Sequence, residues 1–207
     1  MTDKYTANSL SEFKTVGDDF VTDYIFDSDN RFIVENLIKW LFNEEFVALD
    51  PDNPKKKKIG KMDKGVYIAG PCGTGKSLLL KILKEFSKRH PQKWKIGEKE
   101  VRPYWQTFHA AELVNKFRNG ADLGYINTMP IIGIDDVGAE PRPTQYMGNK
   151  VDVIKEILEI RGDKDVYTLI TSNCDLDEID EIYGDRVASR LKALNYYELN
   201  GDDKRCQ

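Results

Sequence analysis

The sequence predicts an α/β fold in which a five-stranded, mostly parallel sheet is flanked by helices. Short apolar runs at 66–69, 101–108, 131–134, 167–171 and 196–199 alternate with segments of helical spacing. A glycine-rich turn joins the first of these strands to the first of these helices. The chain has 207 residues, 40% of them hydrophobic and 32% charged, which suits one buried core behind a charged surface.

Residues 1–29 are polar and acidic with scattered aromatics and no sustained period, and read as a flexible or loosely docked extension. Phe32, Leu37, Ile38, Trp40 and Leu41 fit an amphipathic helix. The stretch 50–58 carries two prolines and four lysines and reads as a solvated loop. The division expected is therefore an N-terminal extension, 1–59, with one helix and a Lys-rich loop, followed by the α/β domain, 60–207. In that domain the helix 76–89 stops near Pro91, and the helix 110–117 ends at Asn119 and Gly120. Val151, Ile154, Ile157 and Leu158 keep helical spacing, and two further helical pieces cover 176–182 and 185–194.

Composition excludes several classes. A formal net charge of −4 with this apolar content is not that of a disordered chain. No run approaches the ~18 apolar residues of a membrane helix, and the opening MTDKYTANSLSEFK has no apolar stretch of a secretory signal. Cys72, Cys174 and Cys206 are too dispersed for a disulfide framework or a paired zinc knuckle. A cytoplasmic protein without membrane association is expected. Residues 76–118 nevertheless hold eleven Lys and Arg against four Glu, interleaved with Trp94, Tyr104, Trp105 and Phe117. Cationic grooves with stacking aromatics bind single-stranded nucleic acid, although the same aromatics could equally face the core.

Gly70, Pro71, Cys72, Gly73, Thr74, Gly75, Lys76 and Ser77 match G-x-x-x-x-G-K-[ST] between a strand and a helix. Such a loop curls so that successive N–H groups meet phosphate oxygens, and the following helix adds the positive end of its dipole. Lys76 is then placed for the β- and γ-phosphates of ATP, and Ser77 for Mg²⁺. Cys72 fills a variable position of the loop. The apolar run 131–134 leads into Asp135 and Asp136. Asp135 is a candidate Mg²⁺ partner and Asp136 a candidate base for the attacking water. The strand 167–171 runs into Ser172 and Asn173, whose amide suits a water or a γ-phosphate, although Ser-Asn after a strand is equally good turn chemistry. Arg186 and Arg190, four residues apart, share a helix face; the spacing is that of an ordinary surface pair and also suits phosphate recognition.

The ordered set GPCGTGKS, IIGIDDVGAE, TLITSN and YGDRVASRL resembles the AAA+ ATPase module of the DnaC/DnaI-type helicase loaders and the IstB-type transposition ATPases, over about residues 60–205. The resemblance implies a P-loop NTPase fold of AAA+ type without a C-terminal lid domain. It implies a Walker A loop at 70–77, a Walker B strand at 131–136 and a sensor residue at Asn173. Arg186 and Arg190 then lie in the box that supplies arginine fingers to a neighbouring subunit. A homo-oligomer in the ATP-bound form, single-stranded DNA, and a replicative helicase or transposase are the partners implied. The segment before the first strand often wraps the base in such ATPases, which makes residues around 26–32 candidates for the adenine, with no motif to fix them. A small-molecule P-loop kinase and a non-hydrolysing nucleotide switch share the loop and are the competing readings.

Overall fold

Period-two alternation decides how the central strands divide their side chains. Val66, Ile68, Leu169, Ile131 and Tyr197 enter one apolar core, whereas Tyr67, Ala69, Ile170, Ile132, Ile134 and Tyr196 enter a second on the opposite face. The computed structural model describes residues 4–90, 92–96, 99–141, 144–146 and 149–204. Pro91, Glu98 and Cys206, used in the sequence reading, lie outside them.

The described elements, in chain order, are α1 (Ala7–Asp18), α2 (Ser28–Leu41), β1 (Val47–Asp50), β2 (Asn53–Ile59), β3 (Val66–Ala69) and α3 (Lys76–Arg89). Then come β4 (Trp94–Ile96), β5 (Lys99–Val101), β6 (Gln106–His109), α4 (Ala110–Arg118), a 3₁₀ turn (Gly124–Thr128) and β7 (Ile131–Val137). The chain continues through β8 (Thr144–Tyr146), β9 (Asn149–Val151), α5 (Val153–Asp163), β10 (Tyr167–Ser172), α6 (Leu176–Tyr183), α7 (Asp185–Lys192) and β11 (Asn195–Glu198). The main sheet runs β2-β1-β11-β3-β10-β7-β6. From β11 to β6 all neighbours are parallel, and β1 and β2 add antiparallel at one edge. Residues of α1, α2 and α3 pack into the first core and residues of α4 to α7 into the second.

The five expected strands are present, but the sheet has seven. The lysine run is not a loop: Pro54 and Lys55 to Lys58 lie in β2, which pairs with β1 as Val47 with Ile59 and Leu49 with Lys57. An edge strand tolerates a proline and directs its lysines to water, so loop-like composition and strand geometry coincide there. The expected strand 101–108 is split at Pro103, which lacks an N–H and restrains Arg102. Its first part, β5, pairs with β4, and its second, β6, joins the sheet beside β7.

The N-terminal segment also departs from expectation, with a helix α1 in addition to α2. Phe13 and Val16 are fully buried, and the Phe13 ring lies 5.5 Å from Phe86 of α3 and 6.1 Å from Tyr24. Arg89 pairs with Asp19 at 2.7 Å, and His90 Nε2 lies 3.1 Å from Glu12. Only Leu10, Phe13 and Val16 mark the apolar stripe of α1, too short a signal to separate from a polar background. Because Phe13 is core rather than tail, Phe13→Ala should cost about 3–5 kcal/mol, read as a lowered midpoint in urea unfolding. A loss below about 1 kcal/mol would mean that α1 is only loosely docked.

Candidate active site

Strand β3 delivers the chain into the phosphate loop, where Gly70, Gly73 and Gly75 take φ of +148°, +82° and +98°. Side chains rarely adopt these values, so the motif's glycines allow the curl itself. Thr74 Oγ1 donates to the Pro71 carbonyl at 3.0 Å and braces the turn. Helix α3 opens at Lys76 with no side chain capping its first turn. Its leading N–H groups therefore point into the loop, a geometry suited to an anion. Cys72 is exposed and Ser77 half-buried.

Strand β10 lies between β3 and β7, and this order decides what meets what. Its tip can touch both the loop after β3 and the carboxylates at the end of β7. Lys76 Nζ donates to the carbonyls of Gly70 and Pro71, both at 2.6 Å, and to Asn173 Oδ1 at 2.8 Å. Asn173 Nδ2 donates in turn to Asp136 Oδ1 at 3.2 Å. One amide thus links the loop lysine to the candidate base. His109 Nε2, at the end of β6, stands 3.6 Å from Asp136 Oδ2.

The two adjacent carboxylates would point to opposite faces of a regular strand. A register shift prevents this: Ile170 pairs with Ile134 and Ser172 with Val137, so Asp135 and Asp136 together oppose Thr171. Asp136 takes a left-handed φ of +65°, which Asp tolerates better than most residues. The Thr171 hydroxyl accepts from Asp136 N at 3.0 Å and donates to Asp135 Oδ1 at 2.5 Å. Ser77 and Asp135 offer hard oxygen donors, a set that fits Mg²⁺, which takes one or two protein oxygens and completes its shell with phosphate and water.

Arg186 and Arg190 are not part of this cluster. Both lie on α7 and bind Asp163 at the end of α5: Arg186 Nη2 at 3.2 Å, Arg190 Nε at 3.1 Å, and Arg190 Nη2 as well. Arg190 Nη1 also donates to the Arg186 carbonyl at 2.8 Å. Gly162 lets them approach, since a Cβ there would fall 2.5 Å from Arg190 Cδ. Of the aromatics expected to interleave with the basic segment, Trp94 and Trp105 are buried in the core and Phe117 is half-buried. Tyr104 is exposed, with Lys84 and Lys88 Nζ 5.6 and 5.2 Å from its ring centre. In the segment 26–32, Phe26 packs against Phe13 and Tyr24, and Phe32 meets Tyr197 edge-on. Asp27 pairs with Lys204, whose backbone N–H donates to the Gly73 carbonyl at 3.0 Å.

Sequence reasoning passed over Thr171, Asp163 and Glu140. Thr171 precedes the Ser-Asn pair in the quoted strand and Glu140 closes the IIGIDDVGAE run, so both were within motifs already isolated. Asp163 carries no local signal, because its partners lie more than twenty residues away.

The strand order, the loop after β3 and the carboxylates at the end of β7 define a P-loop NTPase fold of AAA+ type. No family model and no curated protein matches the sequence. Among solved structures, the chain is similar to DnaI, at 21% identity and a TM-score of 0.59 over 94% of this chain and 93% of that one. It is similar to the DnaC helicase loader, at 16% identity and a TM-score of 0.59 over 93% and 99%. It also resembles a replication initiator DnaA bound to AMPPCP and single-stranded DNA, at 19% identity and a TM-score of 0.52 over 87% of this chain and 49% of that one. At these identities the likeness is one of fold. Among the described residues no helix is long and apolar enough to cross a membrane.

The Asp163 carboxyl is held below its usual range, chiefly by the hydrogen bond from Arg190. A depressed folded-state value means that the pairing contributes above the ordinary carboxylate pKa, about 3.9, and is lost as pH falls through the depressed one. A carboxyl ¹³C titration should place the Asp163 midpoint below that of a free aspartate, and Arg190→Ala should bring it back up.

Proposed function

We propose that the chain is an ATP-binding and ATP-hydrolysing AAA+ protein of DNA replication or transposition, one that loads or regulates a partner on DNA. The observation that carries this reading is the Lys76–Asn173–Asp136 link, which sets a phosphate ligand, a neutral amide and a carboxylate in one row. In a hydrolysis cycle Lys76 exchanges carbonyl partners for β- and γ-phosphate oxygens. Asp136 accepts the proton of the attacking water, and Asn173 orients that water without adding negative charge beside the γ-phosphate. Ser77 and Asp135 would hold Mg²⁺, which neutralises charge on the phosphates. The similarity to DnaI and the DnaC helicase loader supports the replication setting, with a replicative helicase as partner and a transposase as the alternative. The nucleotide and single-stranded DNA of the DnaA structure support both ligands. Tyr104, exposed beside Lys84 and Lys88, is the place in the basic segment where an open aromatic ring and cations come together for DNA.

Arg186 and Arg190 pair with a carboxylate on their own chain, away from the Lys76 cluster. On the resemblance to AAA+ modules, we assign them to the ATP of a neighbouring copy in a homo-oligomer, where an arginine finger would accelerate phosphoryl transfer by ~10³–10⁵-fold. Asp136→Asn should keep ATP binding and slow hydrolysis by ~10²-fold or more, measured as turnover at saturating ATP. Lys76→Ala and Arg190→Ala should each be inactive alone, yet a mixture should recover turnover, because one keeps its finger and the other its ATP site. A mixture that stays inactive where the unmodified protein assembles and hydrolyses would remove Arg190 from the trans role.

A further inference from the structure

A buried carboxylate lies just beyond the candidate base. Glu140 is 5% exposed, and each of its oxygens accepts a hydrogen bond. Oε2 accepts from the Gly138 N–H at 2.9 Å, and Oε1 accepts from the Tyr183 hydroxyl. Burying this pair costs desolvation that an apolar pair of the same size would avoid. What the polar pair adds is a fixed geometry between two particular elements.

Those elements are the turn that carries Asp136 and the helix that carries the arginines. On one side, residues 136–140 are held to the tip of β10: Ser172 Oγ donates to the Val137 carbonyl at 2.6 Å, and Asn173 donates to Asp136. On the other side, Tyr183 is the last residue of α6 and 1% exposed. Gly184 follows at φ +91° and receives the first hydrogen bonds of α7, from Val187 and Ala188 at 3.1 and 3.2 Å. Arg186 is the second residue of α7. A shift of the 136–140 turn therefore has a direct mechanical route, through one carboxylate and one phenol, to the start of the arginine helix.

We propose that Glu140 and Tyr183 are positioning residues that couple the occupancy of a subunit's own ATP site to the placement of the arginines it offers elsewhere. The proposal rests on the ATP-binding reading above. Phosphate arriving at Lys76 and Asn173 changes the partners of Asp136, the turn adjusts, and Glu140 carries the adjustment to Tyr183 and α7.

Amide hydrogen exchange on the full chain, with and without a non-hydrolysable ATP analogue and Mg²⁺, tests this. In the unmodified protein the analogue should slow exchange both in the loop 70–77 and in α7, the latter by about fivefold or more, the usual lower range of coupling between sites. In Tyr183→Phe, which removes only the hydroxyl, loop protection should persist while that of α7 is lost. Glu140→Gln, which leaves a single acceptor oxygen, should do the same. Loop protection without any response of α7 in the unmodified protein would overturn the coupling, as would a response kept in both variants. Absence of loop protection itself would overturn the ATP-binding reading, and this inference with it.

Discussion

The ammonium of Lys76 is the contact around which the rest of the site is arranged. It is 5% exposed, and its bonds to two loop carbonyls and one amide oxygen match the three protons it carries. A charge that deep is tolerable only when its hydrogen-bonding capacity is met. Meeting it requires the loop to curl so that Gly70 and Pro71 turn their carbonyls inward. It also requires β10 to end beside β3, so that Asn173 is within reach. The strand order of the parallel sheet is thus tied to the needs of one side chain.

The second constraint is the two-against-one register at the end of β7. A regular strand would have separated Asp135 from Asp136, giving each a different face of the sheet. The extra residue and the left-handed Asp136 place both beside Thr171, whose hydroxyl engages one as donor and the other's backbone as acceptor. The different surroundings of the two carboxylates are therefore a product of backbone geometry, since the two residues are chemically identical.

The parallel sheet and the phosphate loop were legible in the sequence because each rests on local pattern: an apolar run, a glycine turn, a helical period. Asp135, Asp136 and Asn173 were legible as strand-end residues for the same reason. The amide bridge from Lys76 to Asp136 was not, because it depends on β10 lying between strands that precede it in the chain. Asp163 was hidden by distance along the sequence, and α1 by a stripe of only three apolar positions. The lysine run was misread because polar composition marks loops and edge strands alike. Trp94 and Trp105 are both buried rather than set on a nucleic-acid surface; for Trp94 the indole N–H finds the Leu41 carbonyl at 3.0 Å and the ring packs 4.7 Å from Trp40.

Strand β2 closes one side of the seven-stranded sheet with Lys55, Lys56, Lys57 and Lys58 in succession. A second copy approaching that border in antiparallel fashion would have to set lysine against lysine across the middle of the contact. Like charges directly opposite on paired strands repel, and a lysine-studded border is a recognised guard against unwanted pairing. That border is thus guarded against adding the same strand of a second copy at high concentration, and the sheet does not grow by self-pairing of β2.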